Sequence, residues 1–540
     1  MPVQNDLHFK PLISQDELLS FLLNPRSYPH RPNTTHLVQT HAAYVIILPP
    51  YVYKVKKPVN FGFLDFTTLE KRHYFLKREI ELNQRLCPEI YVDVVPISLS
   101  KKKLIFGEGE EVVEFALKMH KLTDQHFLKQ LIKQGNIRTE DLDRVILKLK
   151  SFYESQTPKE EISRWGRIEK LKISTNENFR QIEDYIGLTL SLPIFKALRF
   201  YTDSFYIYNA SLFDSRIREG RIKDCHGDLH LEHIHLSPRS VCIYDCVEFN
   251  DRLRYIDVAN DIAFLAMDLD NNGRHDLSRY FVTQMANALR DSTMSQIMDF
   301  YKCYRSTVVG KVESLRSSEP EVSEQERKIS HEKARRYFCS ALQYAVIGSQ
   351  PTVLVVMGHI GSGKSTLAKR LAQELGLEVF SSDRVRKELA GIPLYERGKE
   401  STRYQLYSKA MKEKTYEMLF DKAEKVVKGG GSLILDATFN SYYYRNQLRK
   451  RLDRLGVSYC FIETKASNVI IKKRLLKREE KAYEVSDARF EDFETLKQSY
   501  EPPLEIDSLK YFAVDTEKEF DETLTDTLKR LVGIHLGESS

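Results

Sequence analysis

The stretch VLVVMGHIGSGKSTLAKRLAQEL, residues 353–375, decides the fold of the second half of the chain. Its first five residues are an apolar run typical of a buried strand. Residues 358–365 then match the pattern GxxxxGK[ST], in which glycines let backbone N–H groups close around phosphate oxygens. The residues that follow place Leu367, Leu371 and Leu375 on one face of a helix. A strand, a Gly-rich loop and a helix in this order predict a nucleotide-binding site.

Each residue of the loop has a chemical reason to be there. Lys364 reaches the β- and γ-phosphates, and the hydroxyl of Ser365 ligates Mg²⁺ at the N-terminus of the helix. We therefore expect ATP and Mg²⁺ as cofactors. The predicted ATP-binding residues of this loop are Gly358, His359, Ile360, Gly361, Ser362, Gly363, Lys364, Ser365 and Thr366.

Charged residues after the loop complete the predicted site. Asp436 ends the strand of GGSLILDAT, where a carboxylate can hold Mg²⁺ or its water shell. Asp383 follows the second strand and suits a base that accepts the proton of a substrate hydroxyl, with Arg386 holding the substrate. Arg474 and Arg478 lie one helical turn apart, so both can close over the transferring phosphate. For all five residues, a helix cap or a solvated surface charge is the structural alternative.

Composition sets the broad class. The chain has 540 residues, of which 42% are hydrophobic and 29% charged, and this usage is that of ordinary globular proteins. Its length predicts two to four domains. The net charge of +6 is small for this length and does not by itself indicate nucleic-acid binding.

The cysteines and the first residues bear on the cellular compartment. Seven cysteines are scattered along the chain with no CxxC pair, so we expect neither disulfides nor a structural zinc site. Cys242 and Cys246 are expected to be small apolar residues on a strand. The start lacks the pattern of a signal peptide, and no apolar run reaches the ~18 residues of a membrane span. These features predict a cytoplasmic protein without a membrane segment.

The first half reads as α+β. Short runs of β-branched and aromatic residues predict strands, and a long amphipathic run predicts a helix behind a Thr cap. After Phe115 the pattern becomes largely helical, apart from a compact strand region at 223–249. The predicted early elements are strands at 44–48, 51–57, 91–97 and 103–106, with a helix at 67–86.

A domain boundary is expected at GSQPT, residues 348–352. It separates a first domain, 1–347, from a second, 353–540. In the second domain, strand and helix patterns alternate to the end of the chain, which predicts an α/β fold with a parallel sheet and flanking helices.

Two acidic motifs stand out in the first domain. HGDLHLEHI at 226–234, followed by IYDCVEFND at 243–251, resembles the phosphate-transfer signature of aminoglycoside phosphotransferases and related small-molecule kinases. The resemblance implies a two-lobed, protein-kinase-like fold. It also implies that Asp228 accepts the substrate hydroxyl proton and that Asp245 binds Mg²⁺. A polar turn with two unrelated acids is the alternative.

The same resemblance implies a lysine paired with a glutamate on a helix. Lys54 and Lys56 alternate with period 2, so they share one face of a strand where either can reach nucleotide phosphates. Glu79, on the following helix, is the implied partner, with Lys54 as the first choice. VEFALKM at 113–119 would then be the hinge that hydrogen-bonds adenine.

Two departures from the family pattern favour an alternative function. The motif's usual Asn falls on His233, and imidazole nitrogen is a poor ligand for Mg²⁺. The strands before Lys54 also contain no Gly-rich loop, since QTHAAY at 39–44 is the only candidate turn. A pseudokinase domain that binds a ligand and regulates the second half is therefore a serious alternative.

Four histidines, at 226, 230, 233 and 235, crowd into ten residues and suggest a zinc site. His226 and His230 occur in the ordinary form of the kinase-like motif, HGDLH, so the motif itself explains the spacing. We expect no zinc there.

The second half resembles the P-loop kinases that include gluconate kinases, zeta-toxin-like kinases and polynucleotide 5′-kinases. In these, a Walker A loop, an Asp with a nearby Arg, a Walker B-like Asp and an arginine-bearing lid followed by SDA recur. The resemblance covers about 353–505. It implies the roles given above for Asp383, Arg386, Asp436, Arg474 and Arg478.

Together these patterns predict an ATP- and Mg²⁺-dependent phosphotransferase acting on a small-molecule hydroxyl acceptor. A polynucleotide 5′-kinase remains an alternative, with basic stretches at 442–455 and 470–481 as its surface. Solvated helix faces explain those stretches better, because acidic residues are interleaved and the net charge is small. The acceptor and the oligomeric state stay open.

Overall fold

A computed structural model describes residues 13–62, 64–395, 405–479, 493 and 497–537. The chain divides into two compact units: residues 1–167 with 214–294, and residues 168–213 with 295–540. Among the described residues, the α-helices in chain order are α1 (Gln15–Leu23), α2 (Leu69–Asn83), α3 (Leu128–Lys133), α4 (Thr139–Glu154), α5 (Glu160–Ser163), α6 (Ile168–Ile182), α7 (Leu192–Tyr208), α8 (Ala210–Arg218), α9 (Val258–Asn271), α10 (His275–Ala288), α11 (Met294–Ser317), α12 (Glu324–Val346), α13 (Lys364–Leu375), α14 (Ser382–Ala390), α15 (Lys409–Lys428), α16 (Tyr442–Arg454), α17 (Asn468–Glu479) and α18 (Phe520–His535). The strands are β1 (His36–Gln39), β2 (Ala43–Leu48), β3 (Tyr51–Lys56), β4 (Tyr91–Ser100), β5 (Lys103–Phe106), β6 (Glu111–His120), β7 (Ile222–Asp224), β8 (Ile234–Leu236), β9 (Val241–Ile243), β10 (Tyr255–Asp257), β11 (Thr352–Gly358), β12 (Glu378–Ser381), β13 (Leu433–Asp436), β14 (Ser458–Lys465) and β15 (Tyr511–Asp515).

An antiparallel sheet forms the start of the first unit. Its strand order is β1-β2-β3-β6-β4-β5. Helix α2 packs against β4 and β6. It begins after Thr68, whose hydroxyl accepts a hydrogen bond from the backbone N–H of Lys71, as the predicted Thr cap requires. The early strands and this helix lie where sequence patterns predict them, within a few residues.

The segment 113–119 corrects two expectations. The helical pattern was expected after Phe115, but β6 continues to His120. The segment also lies inside the sheet, where β6 pairs with β3 on one side and β4 on the other. It is therefore a central strand and not a connecting hinge, because its backbone belongs to the sheet ladders.

The cysteines correct a third expectation. Cys87 and Cys242 are joined by a disulfide, with Cα atoms 4.7 Å apart. Cys242 lies on β9, and Cys87 follows the end of α2. The expectation of no disulfide was wrong because the two residues are 155 positions apart in sequence, and only the tertiary fold places them in one apolar cluster.

Helices and short two-stranded sheets complete the first unit. β8 pairs with β9, and β10 pairs with β7. Arg216 is fully buried, and its guanidinium contacts the carboxylates of Asp257 and Asp291. Asp257 therefore has a structural role here, since a buried arginine needs anionic partners.

The second unit is built on a parallel sheet of order β12-β13-β11-β14-β15. Every adjacent pair in it is parallel. The central strand β11 is buried along its whole length, as expected for a strand covered by helices on both faces. The predicted α/β fold with a parallel sheet and flanking helices is confirmed for this part of the chain.

Four helices before the sheet group with it rather than with the first unit: α6, α7, α11 and α12. Helix α18 packs on α7 and α12, and α12 also contacts α13. The compact units thus do not follow a cut at residues 348–352. Among the described residues, no helix combines the length and apolar character that a membrane span requires.

Candidate active site

The phosphate-binding loop of the second unit joins β11 to α13. Gly363 precedes α13 with a φ of 97°, a left-handed conformation that favours glycine. A side chain at Gly358 would bring its Cβ to 2.6 Å from the backbone oxygen of Thr464. The loop therefore needs glycine at both positions to turn tightly at the carboxyl end of the central strand.

Lys364 lies at the start of α13 and folds back over the loop. Its Nζ donates a hydrogen bond to the backbone oxygen of His359 at 2.7 Å. Burial lowers the pKa of Lys364, while the nearby carboxylates of Asp436 and Asp383 act in the opposite direction. The ammonium group is thus held inside the loop, where a phosphate oxygen can replace the carbonyl as its partner.

Asp436 is the last residue of β13 and lies beside the loop. Its strand runs parallel to β11, with Val356 opposite Asp436 in the register. Burial raises the pKa of Asp436, and hydrogen bonds with Ser365 and the charge of Lys364 partly offset that effect. A carboxylate and a hydroxyl in contact at a helix N-terminus are oxygen ligands of the kind that Mg²⁺ prefers.

Asp383 and Arg386 lie one turn apart on α14. Arg386 donates to a carboxylate oxygen of Asp383 at 2.6 Å, and its guanidinium stacks 4.8 Å from the ring centre of Tyr407. The N-cap position of α14 is Ser381, so Asp383 lies in the first helical turn and is not the cap of this helix. Arg386 is therefore tied to Asp383 and to the ring of Tyr407, and all three residues line the same cavity.

One cavity of about 1140 Å³ brings these groups together. Its lining includes every charged residue predicted for this half from the sequence: Lys364, Asp383, Arg386, Asp436, Arg474 and Arg478. It is large enough for a nucleotide and a second small molecule, since typical ligand pockets have ~300 to 1,000 Å³.

Arg474 touches the loop through one residue that sequence reasoning missed. Its guanidinium donates to the hydroxyl of Thr516 at 3.0 Å and to the backbone oxygen of Thr516. The same hydroxyl donates to the backbone oxygen of Ser362 at 2.7 Å. Thr516 follows β15 and is 42 residues from Arg474, so only the parallel sheet brings it here. The SDA sequence that follows the arginine-bearing lid in the resemblance, residues 486–488, lies outside the described residues.

The basic stretch at 442–455 is largely paired within the protein. Arg445 is fully buried and contacts Glu505 at 2.6 Å. Arg451 contacts Asp421 at 3.1 Å and also Glu417. Arg451 thus joins α16 to α15, and Arg445 joins α16 to the segment that contains Glu505, which accords with the structural interpretation of the stretch.

The first unit contains a second cluster of charged groups. Lys54 Nζ lies 2.8 Å from Glu79 and 2.7 Å from Asp245. The lysine–glutamate ion pair that the sequence resemblance implies is therefore present. Asp245 has a φ of 62°, a left-handed conformation that is uncommon outside glycine. Strained residues of this kind cluster at functional sites.

The second lysine of the strand has partners too. Lys56 is buried, and its Nζ contacts Glu79 at 2.9 Å and Glu248 at 2.5 Å. The sequence alone did not indicate Glu248 as a partner of Lys56, because the two residues are 192 positions apart. Glu79 thus holds both lysines, and Lys54 is the one that also reaches Asp245.

Asp261 holds the loop that carries Asp228. Its carboxylate accepts hydrogen bonds from the backbone N–H groups of His226 and Gly227, both at 2.9 Å. It also accepts from the hydroxyl of Tyr153 at 2.8 Å. Asp261 therefore has a structural role, because it fixes the backbone of the loop next to Asp228.

Asp228 lies among imidazoles. Its carboxylate is 3.5 Å from His230 Nε2 and 3.5 Å from His233 Nδ1. Burial acts to raise the pKa of Asp228, but the two imidazoles hold it well below its ordinary value. The side chain is therefore a carboxylate at neutral pH, as a proton acceptor must be.

Comparisons with known proteins place the second half in a kinase context. A family model for an AAA domain matches residues 353–503. Over 125 residues, 20% of this chain and 67% of the relative, the chain is 30% identical to a cytidylate kinase from Ignicoccus hospitalis. Among solved structures, a gluconokinase from Sinorhizobium meliloti has 18% identity and a TM-score of 0.24, over 35% of this chain and 98% of that one.

A longer match covers both units. Over 419 residues the chain is 32% identical to the uncharacterised protein Rv2004c of Mycobacterium tuberculosis, and the match spans 76% of this chain and 80% of that relative. The uncharacterised protein Mb2027c of Mycobacterium bovis matches with the same figures.

Proposed function

The chain belongs to the family of the mycobacterial protein Rv2004c and is an ATP-dependent kinase, and from this premise we propose that its P-loop site phosphorylates a small-molecule hydroxyl. The observation that carries the proposal is the convergence of three groups on one cavity. Lys364 comes from the phosphate-binding loop, Asp436 from the end of the neighbouring strand, and Asp383 from the helix after the edge strand.

Each group has a distinct task in phosphoryl transfer. Lys364 leaves the carbonyl of His359 and binds the β- and γ-phosphates of ATP. Mg²⁺, which Ser365 and Asp436 are suited to hold, would neutralise charge on the β- and γ-phosphate oxygens. Asp383 accepts the proton of the acceptor hydroxyl as its oxygen attacks the γ-phosphorus, and ADP departs with the original bridging oxygen.

The arginines have two tasks. Arg386, fixed by Asp383 and Tyr407, orients the acceptor next to the base. Arg474 and Arg478 stabilise the charge of the transferring phosphoryl group from α17. Because Arg474 is tied to the loop residue Ser362 through Thr516, its position follows that of the phosphates.

The test is acceptor-dependent phosphorylation. Full-length protein is incubated with Mg²⁺-ATP and pooled sugars, nucleosides and polyols, and the products are identified by mass spectrometry. Asp383→Asn should lower turnover by ~10² to 10⁴, the range for loss of a general base, without lowering ATP affinity. Asp421→Asn, an exposed carboxylate on α15, is the matched control. Equal turnover in wild type and Asp383→Asn would refute the assigned base.

The first unit supports a second candidate function. The contacts of Lys54 with Glu79 and Asp245 are those that an aminoglycoside phosphotransferase-like kinase would use to hold nucleotide phosphates. We propose that this unit, within a two-lobed kinase-like domain of residues 1–347, binds Mg²⁺-ATP through Lys54 and uses Asp228 as base. The regulatory alternative, a pseudokinase, shares the fold and lacks the transfer step.

The two options differ in a measurement on the full chain. With Lys364→Ala removing turnover at the P-loop, residual ATP-dependent phosphorylation that disappears in Lys364→Ala/Asp228→Asn would support a second kinase site. Nucleotide binding without residual turnover would leave the pseudokinase option.

Nucleic acid is a less favoured acceptor. A polynucleotide 5′-kinase needs basic side chains that can reach phosphates, but Arg445 and Arg451 are engaged by carboxylates of this chain. Cytoplasmic localisation and the linker at 348–352 stay predictions.

A further inference from the structure

The loop after β7 brings three histidines next to two carboxylates in the first unit. Within the described part of the chain, possible ligand atoms of Asp228, His230 and His233 lie within 4.8 Å of one another. His233 is also 3.4 Å from Asp245. Whether such a cluster can hold a metal ion depends on which imidazole nitrogens carry a hydrogen.

Two of the histidines use both ring nitrogens within the protein. His226 Nε2 must donate to the backbone oxygen of Tyr244 at 2.9 Å, because a carbonyl can only accept. Its Nδ1 accepts from the backbone N–H of Asp228 at 3.3 Å. His230 Nδ1 accepts from the backbone N–H of Glu232 at 3.3 Å, so the hydrogen lies on Nε2, facing Asp228.

His233 has the opposite arrangement. Its Nδ1 lies 2.9 Å from the backbone oxygen of Asp228 and must donate to it. In the neutral ring the hydrogen is then on Nδ1, and Nε2 presents a lone pair. That lone pair faces Oδ2 of Asp245 at 3.4 Å.

The carboxylate of Asp245 is also fixed in its orientation towards His233. Its other oxygen, Oδ1, accepts from Lys54 Nζ at 2.7 Å, which leaves Oδ2 towards His233. The backbone N–H of Asp245 donates to the hydroxyl of Tyr91 at 3.3 Å, so the residue is fixed at both ends. Two acceptors facing each other repel unless a proton or a cation lies between them.

We propose that His233 Nε2 and Asp245 Oδ2 bind one divalent transition-metal ion, with water or phosphate oxygens as its other ligands. An ion ~2.1 Å from each atom fits their separation with an angle close to tetrahedral. Nitrogen ligation favours Mn²⁺, Co²⁺ or Zn²⁺ over Mg²⁺. His233 thereby keeps one donor for the loop and one acceptor for the ion, the two functions that an asparagine amide also combines.

This inference does not rest on phosphotransfer at the P-loop. The two sites differ in ligand chemistry, because Ser365 and Asp436 offer only oxygen atoms. A method that detects nitrogen bound to the ion therefore reports on His233 even when both sites are filled.

The test is pulsed electron paramagnetic resonance of full-length protein loaded with Mn²⁺ alone. Wild type should show ¹⁴N coupling from a directly bound imidazole, and Lys364→Ala should show the same coupling. His233→Asn should lose it, because its ligand becomes an oxygen. His230→Asn is the matched control and should keep it, since His230 directs a hydrogen and not a lone pair at Asp228.

Competition gives a second readout. The ratio of Mg²⁺ to Mn²⁺ needed for half displacement should fall at least ~10-fold in His233→Asn, because an amide oxygen suits Mg²⁺ better than imidazole does. Asp245→Asn should weaken Mn²⁺ binding without strengthening Mg²⁺ binding. Persistence of the ¹⁴N coupling in His233→Asn, or its absence in wild type, would overturn the proposal whatever the outcome at the P-loop.

Discussion

Replacing Lys364 by alanine should separate catalysis from folding. The Lys364 ammonium donates a hydrogen bond to the backbone oxygen of His359 at 2.7 Å. Such a bond contributes ~1 kcal/mol net, or ~2 when charged. Burial, which lowers the pKa of Lys364, acts against the charged form and offsets much of that gain.

The free energy of unfolding should therefore change by no more than ~1 kcal/mol in Lys364→Ala. For a unit of this size that is a melting-temperature shift of ~2 to 4 °C. Transition-state stabilisation should fall far more. Loss of one preorganised donor to a developing oxyanion costs ~10² to 10³ in turnover, which is ~2.7 to 4 kcal/mol.

The assay is ADP release from Mg²⁺-ATP, with and without pooled acceptors, alongside thermal melts of the same samples. Lys450→Ala, an exposed lysine on α16, is the matched control and should leave both quantities unchanged. Turnover within ~5-fold of wild type would refute the role of Lys364. A melting temperature lower by more than ~10 °C would refute the argument that its charge adds little to folding.

Three further predictions concern pH, redox state and metal dependence. Burial lowers the pKa of His226 in the folded protein to about 4, whereas the ordinary pKa of histidine is ~6.5. As the pH falls, the unfolded chain therefore binds this proton before the folded protein does. The free energy of unfolding should be at its full value above pH ~6.5 and should fall by ~3 kcal/mol towards pH 4. Fluorescence of Trp165, the chain's single tryptophan, measures this in the first unit, and the decline should flatten in His226→Gln; an unchanged decline would contradict it. Because Cys87 and Cys242 are bonded, denatured protein should titrate five thiols before reduction and seven after, whereas seven at the start would disprove the bond. Asp436→Asn should raise the Mg²⁺ concentration for half-maximal turnover at least ~10-fold, since a carboxylate beside Ser365 is lost, and an unaltered Mg²⁺ titration would exclude Asp436 from the metal site.

The elements that carry the P-loop site could be predicted from short stretches of sequence. In residues 353–375 the apolar run predicts the strand, the glycines predict the loop and the leucine spacing predicts the helix, and all three signals lie next to one another in the sequence. Asp436 and Asp383 follow because parallel strands put their carboxyl ends on one edge of the sheet. In the first unit, the alternating lysines predict a strand and the Thr-capped amphipathic run predicts a helix. Both predictions rest on the regular side-chain directions of strands and helices.

Other features depend on residues far apart in the chain. Thr516 meets Arg474 and Ser362, Glu248 meets Lys56, and Cys242 bonds Cys87, each across many residues. No periodic pattern within a short stretch of sequence indicates such contacts, because they form only when whole helices and strands pack together.

The sequence by itself determined which chemical groups the chain brings to phosphate binding, since loop and strand-end positions are local properties. Only the tertiary structure decided how those groups are paired. It set the ring orientation of His233 against Asp245, and it grouped four helices before residue 348, α6, α7, α11 and α12, with the second unit. The physical reason is that hydrogen-bond partners and buried apolar faces are chosen among distant elements, and that choice follows packing and not sequence order.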